Sequence, residues 1–273
     1  MDDARLKAAL SLLDDEAPAV RQELSRALAQ LGEALESRAR PHLASLSPEA
    51  GRQFQIILRG ARREQFLGTW FSWLGEMGEL ARLEKAMTGL AWLASGPSAL
   101  ALPERLDALA EEFRRERLSA SPESVVDFLF RLKGLRGAES DYHHPDHSNL
   151  MRVLESRRGL PLALTLIAIL VCDRLGFTLQ GLPTPRHFYA TAVWSGQVLV
   201  FDCFRGGRLL GPAEINEICL TLPEGRRSLA RGAGAWEMVA RTLRNLARSG
   251  EEQGDAEEQR FYLELEKEIH AAK

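Results

Sequence analysis

The residues best suited to chemistry lie between positions 141 and 203. Two runs of alternating character, Ala190-Thr191-Ala192-Val193-Trp194 and Gln197-Val198-Leu199-Val200-Phe201, flank Ser195-Gly196, a two-residue hairpin turn. With Trp194 opposite Gln197, Tyr189 lies across from Asp202 and His187 across from Phe204. Side chains alternate along a strand, so His187, Tyr189 and Asp202 share one face. His187 and Asp202 become diagonal cross-strand neighbours, close enough for their polar ends to meet. A histidine oriented by a carboxylate is two thirds of a nucleophilic triad. Geometry alone favours the plainer reading, a structural hydrogen bond at a strand end.

A second concentration of polar groups is Asp141-Tyr142-His143-His144-Pro145-Asp146-His147-Ser148. Its imidazoles and carboxylates are donors that suit zinc, which makes His143, His144 and His147 the metal candidates. Pro145 biases His144 toward an extended backbone, however, and the spacing fits no metal motif. The stretch reads as a polar loop leading into a helix capped by Ser148 or Asp146, with no metal or other cofactor expected. Cys172, Cys203 and Cys219 show neither CxxC spacing nor a disulfide framework. Cys172 falls inside an apolar helix, and Cys219 within the short apolar stretch Ile218 to Leu220. Cys203 follows Asp202 on a strand, so it points away from His187 unless a bulge shifts the register.

These residues must be positioned by three zones of different period. Residues 1–120 are helical: Val20, Leu24, Ala27, Leu28 and Leu31 form one apolar stripe between Pro18 and Gly32. Phe66, Trp70, Trp73, Leu74 and Met77 repeat the spacing, as do Leu106, Leu109, Ala110 and Phe113. Residues 121–222 begin with a helix carrying Val125, Val126, Leu129 and Leu132 that ends near Gly134. An apolar helix from Pro161 to Leu175, stopped by Gly176, should lie at the centre of the fold. The period then falls to two. Residues 223–273 read as a helical hairpin, with Trp236, Val239, Ala240, Leu243 and Leu246 facing Tyr262, Leu265 and Ile269. The expectation is an α+β fold, mostly helical, with a small antiparallel sheet.

Composition bounds the partners. The chain has 273 residues, of which 45% are hydrophobic and 27% charged, values that exclude a disordered or fibrous protein. Lys plus Arg number 35 against 38 Asp plus Glu, so the net charge of −3 lacks the basic excess of nucleic-acid binders. Leu160 to Cys172, the longest apolar run, is well short of the ~20 residues that span a bilayer. The sequence opens Met1-Asp2-Asp3, without the basic and apolar regions of a secretory signal. A cytoplasmic protein with no membrane and no nucleic-acid partner is expected.

The order of motifs resembles the bacterial SirB-type branch of the transglutaminase-like superfamily. The stretches that carry the resemblance are YHHPDHSNL (142–150), VLESRRGLPLAL (153–164), RLGFTLQGLPTPRHF (174–188) and FDCFRGGRLL (201–210), followed by Arg241 to Leu246. Asp14-Asp15 ahead of a helix and Leu106 to Ala110 fit as well. The resemblance implies a helical N-terminal part, a transglutaminase-like (papain-like) α+β core and a C-terminal helical hairpin. Active members of the superfamily use a Cys-His-Asp triad with the Cys at the start of the central helix. By resemblance His187 and Asp202 take the His and Asp positions, and the Cys position falls near Pro161 to Ala163. No Cys, Ser or Thr stands there; Thr165 is the nearest hydroxyl. The branch generally shares this lack. Further departures are His147 in place of Asn, Arg186 in place of Gly and Cys203 in place of Pro.

The resulting expectation is a pseudoenzyme with a binding or regulatory role and no confident catalytic residue, His187 and Asp202 being a remnant dyad. Tyr142, His147, Ser148, Arg158, Arg186 and His187 are expected to line a cleft for a protein or peptide partner. Arg158 and Arg186 offer planar donors to a carboxylate. The alternative is a hydrolase or acyltransferase using an unrecognised nucleophile or a metal-activated water.

Overall fold

The computed structural model describes residues 1–32, 34–116 and 118–272. The chain divides into two compact units, one of Met1–Ser72 with Leu93–Gly96, the other of Trp73–Trp92 and everything from Pro97 onward.

The first unit contains α1 (Asp3–Ser11), α2 (Pro18–Ala29), α3 (Ala34–Ala39) and α4 (Pro48–Thr69). Pro18 opens α2, and Gly32 follows it with φ 51°. Leu6, Leu10, Leu28, Leu35 and Phe54 form the core, with Leu24 and Leu31 packed on its edge. Val20, at the start of the expected stripe, is exposed. The second stripe also stops short. After α4 the chain tightens into a 3₁₀ turn over Trp70–Gly75. Met77 is 93% exposed, because the 3₁₀ turn ending at Gly75 breaks the 3.6-residue period before it.

Helix α5 (Glu79–Ser95) contributes residues to both units. The rest of the second unit is helical on either side of a sheet. Its helices are α6 (Leu102–Arg115), α7 (Pro122–Asp127), α8 (Leu150–Ser156), α9 (Pro161–Arg174), α10 (Pro212–Thr221), α11 (Ser228–Arg231), α12 (Ala235–Glu252) and α13 (Ala256–Ala271). Every residue of α9 from Pro161 to Cys172 is buried, so this is the central helix its all-round apolar character requires. It ends at Gly176 (φ 79°), where Gly176 N–H donates to the Asp173 carbonyl and Phe177 N–H to that of Cys172, each at 2.9 Å. Helices α12 and α13 form the expected C-terminal pair. They meet so closely at Gly250 that a Cβ there would lie 2.7 Å from the Gln259 backbone nitrogen.

Against α9 lies an antiparallel sheet of order β3-β4-β5-β6, made of β3 (Gln180–Pro183), β4 (Phe188–Trp194), β5 (Gln197–Asp202) and β6 (Arg208–Leu209). Earlier in the chain β1 (Arg136–Gly137) and β2 (Arg158–Gly159) pair in parallel. Two-residue strands carry no period, and the sequence gives no sign of them. The β4–β5 register is the one the turn dictates: Trp194 pairs with Gln197 and Ala190 with Phe201. Ser195 (φ 49°) and Gly196 (φ 76°) are both left-handed, as a type I′ turn demands.

Candidate functional site

His187 sits just ahead of β4 and Asp202 ends β5. His187 Nε2 and Asp202 Oδ1 are 2.8 Å apart. The loop before β4 fixes the histidine backbone: Thr184 Oγ1 accepts from His187 N–H at 3.1 Å and donates to the His187 carbonyl at 2.8 Å. Arg241 of α12 reaches in and donates to the carbonyls of Thr184 (3.0 Å) and His187 (2.9 Å). Its guanidinium also lies over the Phe188 ring.

Asp202 is held as firmly. Its Oδ1 also accepts from the Arg205 backbone N–H at 3.1 Å, and its carbonyl accepts from Gly207 at 2.9 Å. Gly206 and Gly207, with φ 71° and 72°, make this tight return toward β6. The Asp202 side chain is 4% exposed and that of His187 20%. Burial raises the Asp202 carboxyl, but the hydrogen bond and charge of His187, with the Arg205 N–H, outweigh it and hold it below the ordinary carboxylate range.

Aromatic rings frame the pair. Tyr189 packs at a tilt against His187, ring centroids 4.4 Å apart, and Phe204 stands edge-on to it at 6.0 Å. Tyr142 meets the same Phe204 ring at 5.9 Å, which links the polar loop to the histidine through one ring. Beside the pair opens a cleft of about 260 Å³, lined by His187, Tyr189, Asp202, Arg205 and Arg208, with Glu214, Glu217 and Ile218 of α10 opposite. Arg208 and Glu214 form a two-pronged ion pair at 2.7 and 3.0 Å. Arg205 is 71% exposed, with its Nε 3.9 Å from Asp202 Oδ2.

The expected cleft residues are thus brought together only in part. Tyr142 reaches the pair indirectly. The His147 carbonyl accepts from Leu160 N–H at 2.9 Å, which places His147 and Ser148 at the start of α9. There the His147 Nδ1 and Ser148 Oγ are buried, with no hydrogen-bond partner among the described residues. Arg158 belongs to β2 opposite Arg136, and Arg186 is exposed on the turn before His187; neither lines the cleft. Arg205 and Arg208 stand there instead. The Gly206-Gly207 pair after Asp202 was the available signal for them, since it turns the chain back along β5.

The imidazoles of the loop have separate tasks. His143 packs on Tyr142 at 5.1 Å, and His144 Nδ1 accepts from Asp146 N–H at 3.3 Å. Among the described residues no three His, Cys, Asp or Glu are grouped to hold a metal. The cap of α8 is neither Ser148 nor Asp146. Asn149 takes that place, its Oδ1 accepting from Met151 and Arg152 N–H, because Pro145–Ser148 is already wound into a 3₁₀ turn.

The cysteines face elsewhere. Cys203 is fully buried, and burial pushes its thiol up to about 12 despite a hydrogen bond with the Thr165 side chain of α9. It therefore points into the core, away from His187. Cys172 lies near it within α9, its thiol also pushed by burial to about 12. Cys219 is buried on α10.

Helices around a four-stranded sheet, with a buried central helix ahead of a His-Asp hairpin, agree with what the chain matches. Residues 101–244, just over half of it, match the model of the transglutaminase-like superfamily, and the chain belongs to that superfamily. It is also similar to the UPF0162 proteins of two Xylella fastidiosa strains, Temecula1 / ATCC 700964 and 9a5c. Each is 39% identical over 94 residues, 34% of this chain and 34% of the relative. The match spans about a third of the length of these curated relatives. No solved structure matches. Among the described residues no helix is long and apolar enough to cross a membrane.

Proposed function

We propose that the protein is a non-catalytic, SirB-type member of its superfamily that binds a protein or peptide segment at the cleft beside His187 and Asp202. One observation carries the reading: the His-Asp pair is complete, yet it faces no activated nucleophile. Pro161, Leu162 and Ala163 at the start of α9 are apolar and buried. The thiols of Cys172 and Cys203 are sealed in the core and protonated at neutral pH. Tyr189 is the nearest cleft hydroxyl, and burial, reinforced by the Asp202 charge, keeps it protonated too. With nothing for the histidine to activate, the pair becomes a rigid hydrogen-bonding patch between aromatic rings.

Two exposed guanidiniums beside the cleft favour a partner with an acidic group. Arg205 projects from the cleft with a largely exposed guanidinium, and Arg186 is exposed on the neighbouring turn. A segment bearing a carboxylate would meet planar donors there while its apolar part lies against Tyr189 and Ile218. The test is an array of acidic and neutral peptides, with the best binders measured by calorimetry. Acidic peptides should bind the wild type, and His187→Ala and Arg205→Ala should each weaken them at least about tenfold while staying folded. Unchanged affinity in both folded variants would exclude the cleft as the binding surface.

A further inference from the structure

A second cavity, of about 250 Å³, opens among α6, residues 133–135 and the end of α8, apart from the His187 cleft. Arg105 and Glu112 lie seven residues apart on α6, so one face of that helix supplies both. Lys133 is ion-paired with Glu112. Arg105 and Arg157 also line the cavity, and among the described residues neither has an ion-pair partner. The walls are otherwise apolar, with Leu109, Leu135 and Leu154 the largest such side chains.

Two unusual backbone features place these cations. After α7 the chain widens into a π turn over Phe128–Leu132, closed by Lys133 N–H donating to the Phe128 carbonyl at 2.8 Å. Such turns are rare and concentrate at functional sites. This one turns Leu132 out to solvent and Lys133 into the cavity wall. Arg157 caps α8 with φ 62°, a left-handed position where glycine is the unstrained residue. Its side chain runs beside Gly134, with Cδ and Nη1 each 3.8 Å from where a Cβ would stand. The arginine strains the backbone there, and strain of this kind is retained where the side chain has work to do.

We infer that this cavity binds a phosphate monoester carried on a small apolar body. A phosphate monoester bears about −1.5 to −2 at neutral pH, which matches two uncompensated guanidiniums, and its oxygens suit their paired donors. The three leucines receive the apolar part. The volume, just under the ~300 Å³ at which ligand pockets usually begin, fits a molecule of about one ring.

Calorimetry on the full chain at low salt, with phenyl phosphate as probe and inorganic phosphate and phenol as comparisons, tests this. Phenyl phosphate should saturate one site and bind at least about tenfold more tightly than either comparison. Arg157→Gly should keep or raise the unfolding midpoint, since it relieves the left-handed arginine, yet weaken phenyl phosphate at least about tenfold. Arg105→Ala should weaken it similarly. A phosphotyrosine peptide, run in parallel, distinguishes an ester presented on a protein from a free small molecule. No saturation by phenyl phosphate, equal affinity for inorganic phosphate, or unchanged affinity in both variants would overturn the assignment.

Discussion

A buried carboxylate such as Asp202 stabilises a fold only while something holds its charge, and here His187 and the Arg205 N–H do so. Because the folded carboxyl lies below its ordinary range, the unfolded chain takes up the proton first as pH falls. The contribution is therefore complete above the unfolded carboxyl's titration, near pH 4, and is lost as pH drops through the lower folded value. Asp202→Asn should cost about 1–3 kcal/mol in urea unfolding at pH 7. It should also flatten the acid limb of the stability curve; an unchanged limb would mean that the carboxylate is not held as described. The cysteines give a second prediction at this scale. With two thiols pushed to about 12 and all three cysteines buried, iodoacetamide at neutral pH should leave the native protein unlabelled and add three carbamidomethyl groups once it is unfolded. Mass spectrometry reads the count directly. The His187–Asp202 pair was legible because one turn fixes its geometry. Arg205 and Arg208 were harder to read, because a turn and a two-residue strand have no period and only the Gly206-Gly207 pair signals the return.

Where an element's geometry is set by one local feature, it could be read in advance. Ser195-Gly196 dictates the β4–β5 register, and Pro161 with Gly176 brackets α9. Ser195 is not the residue its left-handed position prefers, so Ser195→Asn should stabilise the hairpin by about 0.5 kcal/mol, read as a rise in unfolding midpoint. Elements set by tertiary contact escaped. Strand β1 depends on Gly137, where a Cβ would come 2.6 Å from the Phe204 carbonyl oxygen. Gly137→Ala should destabilise by about 1–3 kcal/mol and, by displacing Phe204, disturb the His187 ring, visible as shifted imidazole resonances. An Ala variant of unchanged stability and spectrum would show that β1 does not support the site. The cap of α12 is equally non-local: Glu79 accepts from the Ala235 N–H at 2.7 Å, a contact no sequence window contains.

At the scale of the molecule, the family match begins within the helical zone at residue 101 and extends to 244, into α12. Helices α6 and α12 therefore belong with the sheet and central helix. Hydrophobic period does not by itself join them, because it reports which face of a helix is buried but not which neighbour covers it. The transglutaminase-like fold was visible from the order of its motifs, while the role of the cleft rests on what stands opposite the histidine. Turnover of an acyl-donor peptide, followed by mass spectrometry for wild type, His187→Ala and Cys203→Ala, addresses that role most directly. A cleft without a nucleophile predicts no turnover by any of the three beyond the uncatalysed rate. Turnover by the wild type that Cys203→Ala abolishes would contradict the account, and would mean that the thiol leaves the core to meet His187.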